Sequence, residues 1–149
     1  MTGTQIVGSA GLIAGSLDLA ATSILVKSQG IPFQRLLQTI ASGTAGPEAF
    51  EQGSRSAGLG FFFHFLIALT AAAAYFTASR SLPLLLDRPV LSGILFGAAV
   101  HLFMALVVVP LSRARRPFSA KRFLIQLAIH ILFVGLPIAL TISRLSERV

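Results

Sequence analysis

The chain reads as an all-α membrane protein, a bundle of four transmembrane helices with a short interfacial amphipathic helix in the first loop. Three observations predict this. The 149 residues are 54% apolar and 11% charged, where soluble domains carry about a quarter charged residues. The apolar residues fall in four runs, about 6–26, 57–78, 90–111 and 123–142, each near the roughly 20 residues that span a bilayer's hydrocarbon. Within those runs the ionisable side chains are Asp18, His64, His101 and His130, with the phenol of Tyr75. The length predicts a single integral membrane domain over 1–149.

The first run, from Ile6, has no Lys or Arg before it and so lacks the basic n-region of a signal peptide. It is expected to stay as a membrane helix. Gly8, Gly11, Gly15, Asp18 and Thr22 form one stripe at three- and four-residue steps, with Gly11 and Gly15 as a GxxxG pair. Lipid tails are as apolar as leucine, so close packing through such small residues is what draws membrane helices together.

The first connection is long. In IPFQRLLQTIASG, Phe33, Leu36, Leu37 and Ile40 share a helical face, with Gln34, Arg35, Gln38 and Thr39 elsewhere; Pro32 suits the start. This predicts the amphipathic helix, lying in the membrane surface. A second short helix is expected in GTAGPEAFEQGSRS, entered at Pro47 with Glu48 in its first turn. The pair reads as an anchored loop or as a lid over the mouth of the bundle.

The second run places Gly60, His64, Ala68, Ala71 and Tyr75 on one side. RSLPLLLDRP then makes a short connection, which predicts that the second and third spans are antiparallel neighbours. In the third span Gly93, Gly97, His101 and Ala105 are spaced at four. The fourth offers Gln126, His130, Val134, Pro137 and Thr141, and Pro137 leaves the Phe133 carbonyl without its helical donor, which predicts a kink. AGLIAGSLD beside SGILFGAAVH, and IALT in the second and fourth spans, hint at a duplicated two-helix unit.

Net charge is +7, but Lys and Arg cluster at the ends of the runs, where they meet headgroups, so no soluble face is left to bind nucleic acid. There is no cysteine, hence no disulfide framework or thiolate metal site. The first and third connections hold Lys27, Arg35, Arg55, Arg113, Arg115, Arg116, Lys121 and Arg122, against Arg80, Arg88, Arg144 and Arg148 elsewhere. The positive-inside rule then puts those two loops in the cytoplasm and both termini in the periplasm.

Each span thus carries one ionisable residue on its small or polar face. Counted from the basic ends at about 1.5 Å per residue, Asp18, His64 and His130 sit at similar depth and His101 about a turn deeper. They are expected to meet as one polar layer. Three uses fit such a layer. It can serve as helix glue in a structural or accessory subunit, through side-chain hydrogen bonds. It can hold a transition metal or a haem, with His64, His101, His130 and Asp18 as ligands or second-shell acceptors. Or it can be the proton relay of a small proton-coupled transporter. A hydrolytic enzyme is not expected, because Ser56 and Ser92 lie two turns or more from the histidines of their own helices.

GLIAG, IASG…GPEAF, FHFLIA, VVVPLS and IH…VGLPIAL resemble a group of small bacterial inner-membrane proteins similar to the YagU-like family. That resemblance covers nearly the whole chain. It implies a multi-pass protein of the bacterial inner membrane and transfers no catalytic residue. The structural reading, as a non-enzymatic subunit of a larger membrane complex or of a homo-oligomer, is the one these observations favour.

Overall fold

The computed structural model describes residues 1–146; Arg148, counted above with the termini, lies outside them. Every regular element among the described residues is helical. Four helices are long and apolar enough to cross a bilayer: α1 (Gly3–Ser28), α3 (Gly53–Ser79), α5 (Pro89–Leu111) and α6 (Ala120–Ser146). At 23 to 27 residues each is about 35–40 Å long, enough for a hydrocarbon core of about 30 Å. Two shorter helices join them, α2 (Phe33–Ala45) and the single turn α4 (Leu84–Asp87). The expected second loop helix is a 3₁₀ turn, Gly46–Phe50, entered through Pro47.

Thr2 starts α1 with a reciprocal capping box, its hydroxyl accepting from the Gln5 N–H and its own N–H donating to Gln5 Oε1. From there the spans line up in space as α3, α1, α6, α5. One core cluster joins the first three, with Ala10 and Ala14 of α1, Ala72 and Tyr75 of α3, and Ile138 and Ile142 of α6. Outward positions remain apolar: Leu12, Phe62, Leu95, Phe103 and Leu132 are all exposed. That pattern is the one a lipid solvent selects.

Glycine sets the helix separations. A Cβ on Gly11 would sit 2.9 Å from Leu69 Cα, and one on Gly15 3.0 Å from the Phe65 ring, so this pair lies against α3. Gly93 and Gly97 lie against α6, where a Cβ on Gly97 would be 2.6 Å from the His130 carbonyl oxygen. The sequence stripes did not include their counterpart, Gly135, which faces the Gly93 carbonyl and the Gly97 backbone. Gly8 is different: a Cβ there would meet nothing.

Two expectations change. The second and third spans are not packed side by side; they meet through the Tyr75 and Phe96 rings, 4.9 Å apart, with α4 between them. Three hydroxyls from different spans hold α4. Tyr75 donates to the Leu85 carbonyl (2.8 Å), Ser143 to Leu86 (2.9 Å) and Ser92 to Leu84 (3.4 Å). The Leu84 carbonyl also accepts the Arg88 backbone N–H, while the Leu85 and Leu86 carbonyls at the end of this single turn take their donors from Tyr75 and Ser143.

The second change concerns proline. Instead of a simple kink, α6 contains a π turn over Ile131–Gly135, closed by the Leu136 N–H on the Ile131 carbonyl just before Pro137. In α5 a matching π turn, Met104–Val108, is closed by Val109 on Met104 just before Pro110. Each turn takes up one extra residue and moves the following helix around its axis. The inward face of α6 therefore continues through Ile138 and Ile142 rather than Pro137 and Thr141. Ala105, inside its π turn, drops out of the buried stripe of α5.

The amphipathic helix is present, but much of it packs on protein. Leu36 and Leu37 are buried against Leu19 and Ala57, and the Leu37 carbonyl lies directly on Gly60 of α3. Gln38, placed by periodicity away from the apolar face, is buried as well and donates to the Gly53 carbonyl at 3.1 Å. Phe33 stays exposed. The two basic connections meet on one side of the bundle. Arg116 donates to the Thr39 carbonyl (2.9 Å) and the Arg113 backbone N–H to Gly43 (2.9 Å), near the end of α2 where the helix dipole is negative.

Gly97→Ala is expected to destabilise the protein by about 1–3 kcal/mol, because the new methyl meets backbone. Gly8→Ala, facing open space, should leave stability unchanged. Denaturant unfolding in detergent compares the two, and equal effects would contradict the packing.

Candidate functional site

Close packing of α1 on α3 carries a polar contact with it. His64 projects from α3 toward the glycine face of α1, and its Nε2 lies 2.7 Å from the Gly15 carbonyl. A carbonyl oxygen only accepts, so Nε2 carries the hydrogen. The other ring nitrogen, Nδ1, then faces Asp18 Oδ2 at 3.9 Å, with both side chains 13% exposed. That separation allows ion pairing and is too long for a direct hydrogen bond. Asp18 Oδ1 is buried with no hydrogen-bond partner among the described residues.

On the other side of α1 stands His130 of α6. Its Nδ1 bonds the Gln126 carbonyl one turn back in its own helix, at 2.8 Å, and so it too carries the hydrogen on the carbonyl-facing nitrogen. His101 of α5 lies against His130, ring centroids 5.0 Å apart, and against Phe123 at 4.6 Å. The Nε2 of His101 is buried without a hydrogen-bond partner among the described residues.

The structure pairs the four polar residues as two contacts, Asp18–His64 between α1 and α3 and His130–His101 between α6 and α5. His101 is not a turn deeper than His130, since their rings touch. Counting from Arg113 overstated its depth, because residues 112–113 lie beyond the end of α5 and the π turn absorbs one more. Among the described residues no three His, Asp or Glu side chains converge as a metal-ligand group. Two of the imidazoles already spend a nitrogen on a backbone carbonyl.

Sequence periodicity reached Asp18 and the three histidines, but not their partners. The Gly15 and Gln126 carbonyls are backbone groups, invisible to any side-chain motif. Ser56, set aside above as a nucleophile, is fully buried and donates to the Ala49 carbonyl, tying the 3₁₀ turn to α3.

His64→Phe keeps a ring but loses the bond to Gly15 and strands Asp18. It should cost about 1 kcal/mol, within the range measured for hydrogen bonds between membrane helices. His101→Phe removes an unpartnered nitrogen and should be neutral or stabilising. Equal losses in unfolding experiments would mean that the two imidazoles do the same work.

No family model matches the chain, and no curated protein or solved structure matches it either.

Proposed function

We propose that the protein is a non-enzymatic, multi-pass subunit of the bacterial inner membrane, similar to the YagU-like proteins, and that it works in a larger membrane complex or a homo-oligomer. The observation that carries this reading is where the polar side chains of the spans are spent. His64 bonds the Gly15 carbonyl across α1 and α3, Tyr75 bonds Leu85, and Ser143 bonds Leu86. These contacts join helices, as hydrogen bonds inside membranes commonly do. The least buried span, α5, leaves Leu95, Leu102, Phe103 and Leu106 exposed, room for a neighbouring helix as well as for lipid. A small proton-coupled transporter is the second reading, favoured by Asp18 beside His64 within the spans. The first and third connections face the cytoplasm in this proposal, with both termini periplasmic.

Purification of the untagged chain in gentle detergent should yield a species larger than the monomer; a lone monomer in native nanodiscs counts against the subunit reading. Orientation has its own test, and the absence of cysteine makes it clean. An impermeant thiol reagent added to intact cells should label Ser81→Cys in the second connection and spare Ser54→Cys in the first turn of α3, beside the first connection. The reverse pattern would invert the topology.

A further inference from the structure

We propose that Asp18 and His64 form a proton-binding site that holds one shared proton. The inference is independent of the subunit reading and follows from which atoms face each other. The Gly15 carbonyl assigns a hydrogen to His64 Nε2. A neutral imidazole in that tautomer presents a lone pair at Nδ1, toward Asp18 Oδ2. If Asp18 were ionised, two electron-rich atoms would oppose each other inside the bundle with no donor between them. Nor does the carboxylate have help elsewhere among the described residues, since Oδ1 is buried and accepts from none of their groups. A charged carboxylate in such a position is expensive.

One added proton removes the conflict in either of two places. On Asp18 it makes a neutral carboxylic acid facing the Nδ1 lone pair across 3.9 Å. On Nδ1 it makes an imidazolium paired with a carboxylate. Moving between the two breaks one N–H bond and forms one O–H bond, leaves the electron pair on nitrogen, and keeps the pair neutral. A second proton would leave an uncompensated positive charge between helices. One proton is therefore the occupancy that the surroundings favour.

Every span carries a titratable group: Asp18 is on α1, His64 on α3, His130 on α6 and His101 on α5, with the last two rings 5.0 Å apart. The buried polar side chains of α2 are Gln38 and Ser42, neither of which titrates. His130 resembles His64 in donating one nitrogen to a carbonyl, here Gln126, which leaves Nε2 as its free basic atom. The shared proton sits where Gly15 lies against Phe65 and Ala68, so its loss would act directly on the contact between α1 and α3.

The experiment is magnetic resonance on the full chain in lipid nanodiscs, with ¹³C-labelled aspartate and ¹⁵N-labelled histidine. The chain suits it, with three histidines and with Asp18 and Asp87 as its aspartates. Asp87→Asn, in α4, assigns the remaining carboxyl signal. Near neutral pH the expected result is one proton on the pair: an Asp18 acid with His64 as the Nε2–H tautomer, or an Asp18 carboxylate with His64 protonated on both nitrogens. Raising the pH should shift both signals together in a single step. Asp18→Asn, whose amide can donate to Nδ1, should hold His64 in the neutral Nε2–H form and abolish that step. A wild-type carboxylate beside neutral His64 at neutral pH would overturn the proposal, as would an acid beside an imidazolium, or two separate titrations. The wild-type spectra decide the matter even if the Asn variant fails to fold.

Discussion

Backbone has to touch backbone for this protein to hold together. In water, burial of apolar surface would draw the helices in, but lipid removes that drive, and dispersion contacts at short range must replace it. The chain concentrates these contacts at glycine. Gly11 and Gly15 admit α3, Gly60 admits the Leu37 carbonyl of α2, and Gly93, Gly97 and Gly135 form a seam in which neither α5 nor α6 has a side chain between the backbones. The core behind the seams is accordingly small-grained, built on Ala10, Ala14, Ala72 and Ala139 around the large side chains Tyr75, Ile138 and Ile142.

Close approach has a consequence for polar chemistry. Helices this near bring their carbonyls within reach of a neighbour's side chain, so the Gly15 carbonyl meets His64 because Gly15 lacks a side chain to keep it away. The same economy appears at the opposite end of the bundle from the basic loops, where hydroxyls of α3, α5 and α6 converge on the carbonyls of α4. Unsatisfied backbone groups are costly where water is scarce, and these hydroxyls make a single helical turn into a joint for three spans.

The prolines belong to this account. Pro110 and Pro137 each follow a π turn, where helices often adjust near functional positions. In α6 that turn begins immediately after His130 and ends at Gly135. It aligns the histidine side with α1 and α5 while carrying Ile138 and Ile142 into the core. Fold and polar cluster are thus set by one local irregularity as well as by the regular helices on either side.

Fold class was legible in the sequence because it depends on length and composition: four runs long enough to cross hydrocarbon, with Lys and Arg confined to their ends. The small-residue faces of α1 and α5 were legible too, since a period near 3.6 holds along an unbroken α-helix, as were Asp18 and the three histidines as exceptions within apolar runs. Periodicity failed where the period itself changed, after the π turns, so that the inward face of α6 was misplaced by one residue. It failed again at Gln38, whose burial answers a carbonyl on another helix. Which helices are neighbours, which carbonyls accept from His64 and His130, and how the four ionisable residues divide into two contacts were decided by tertiary structure alone. The physical reason is that these contacts join backbone atoms to residues distant in the chain, and a backbone carbonyl carries no sequence signature.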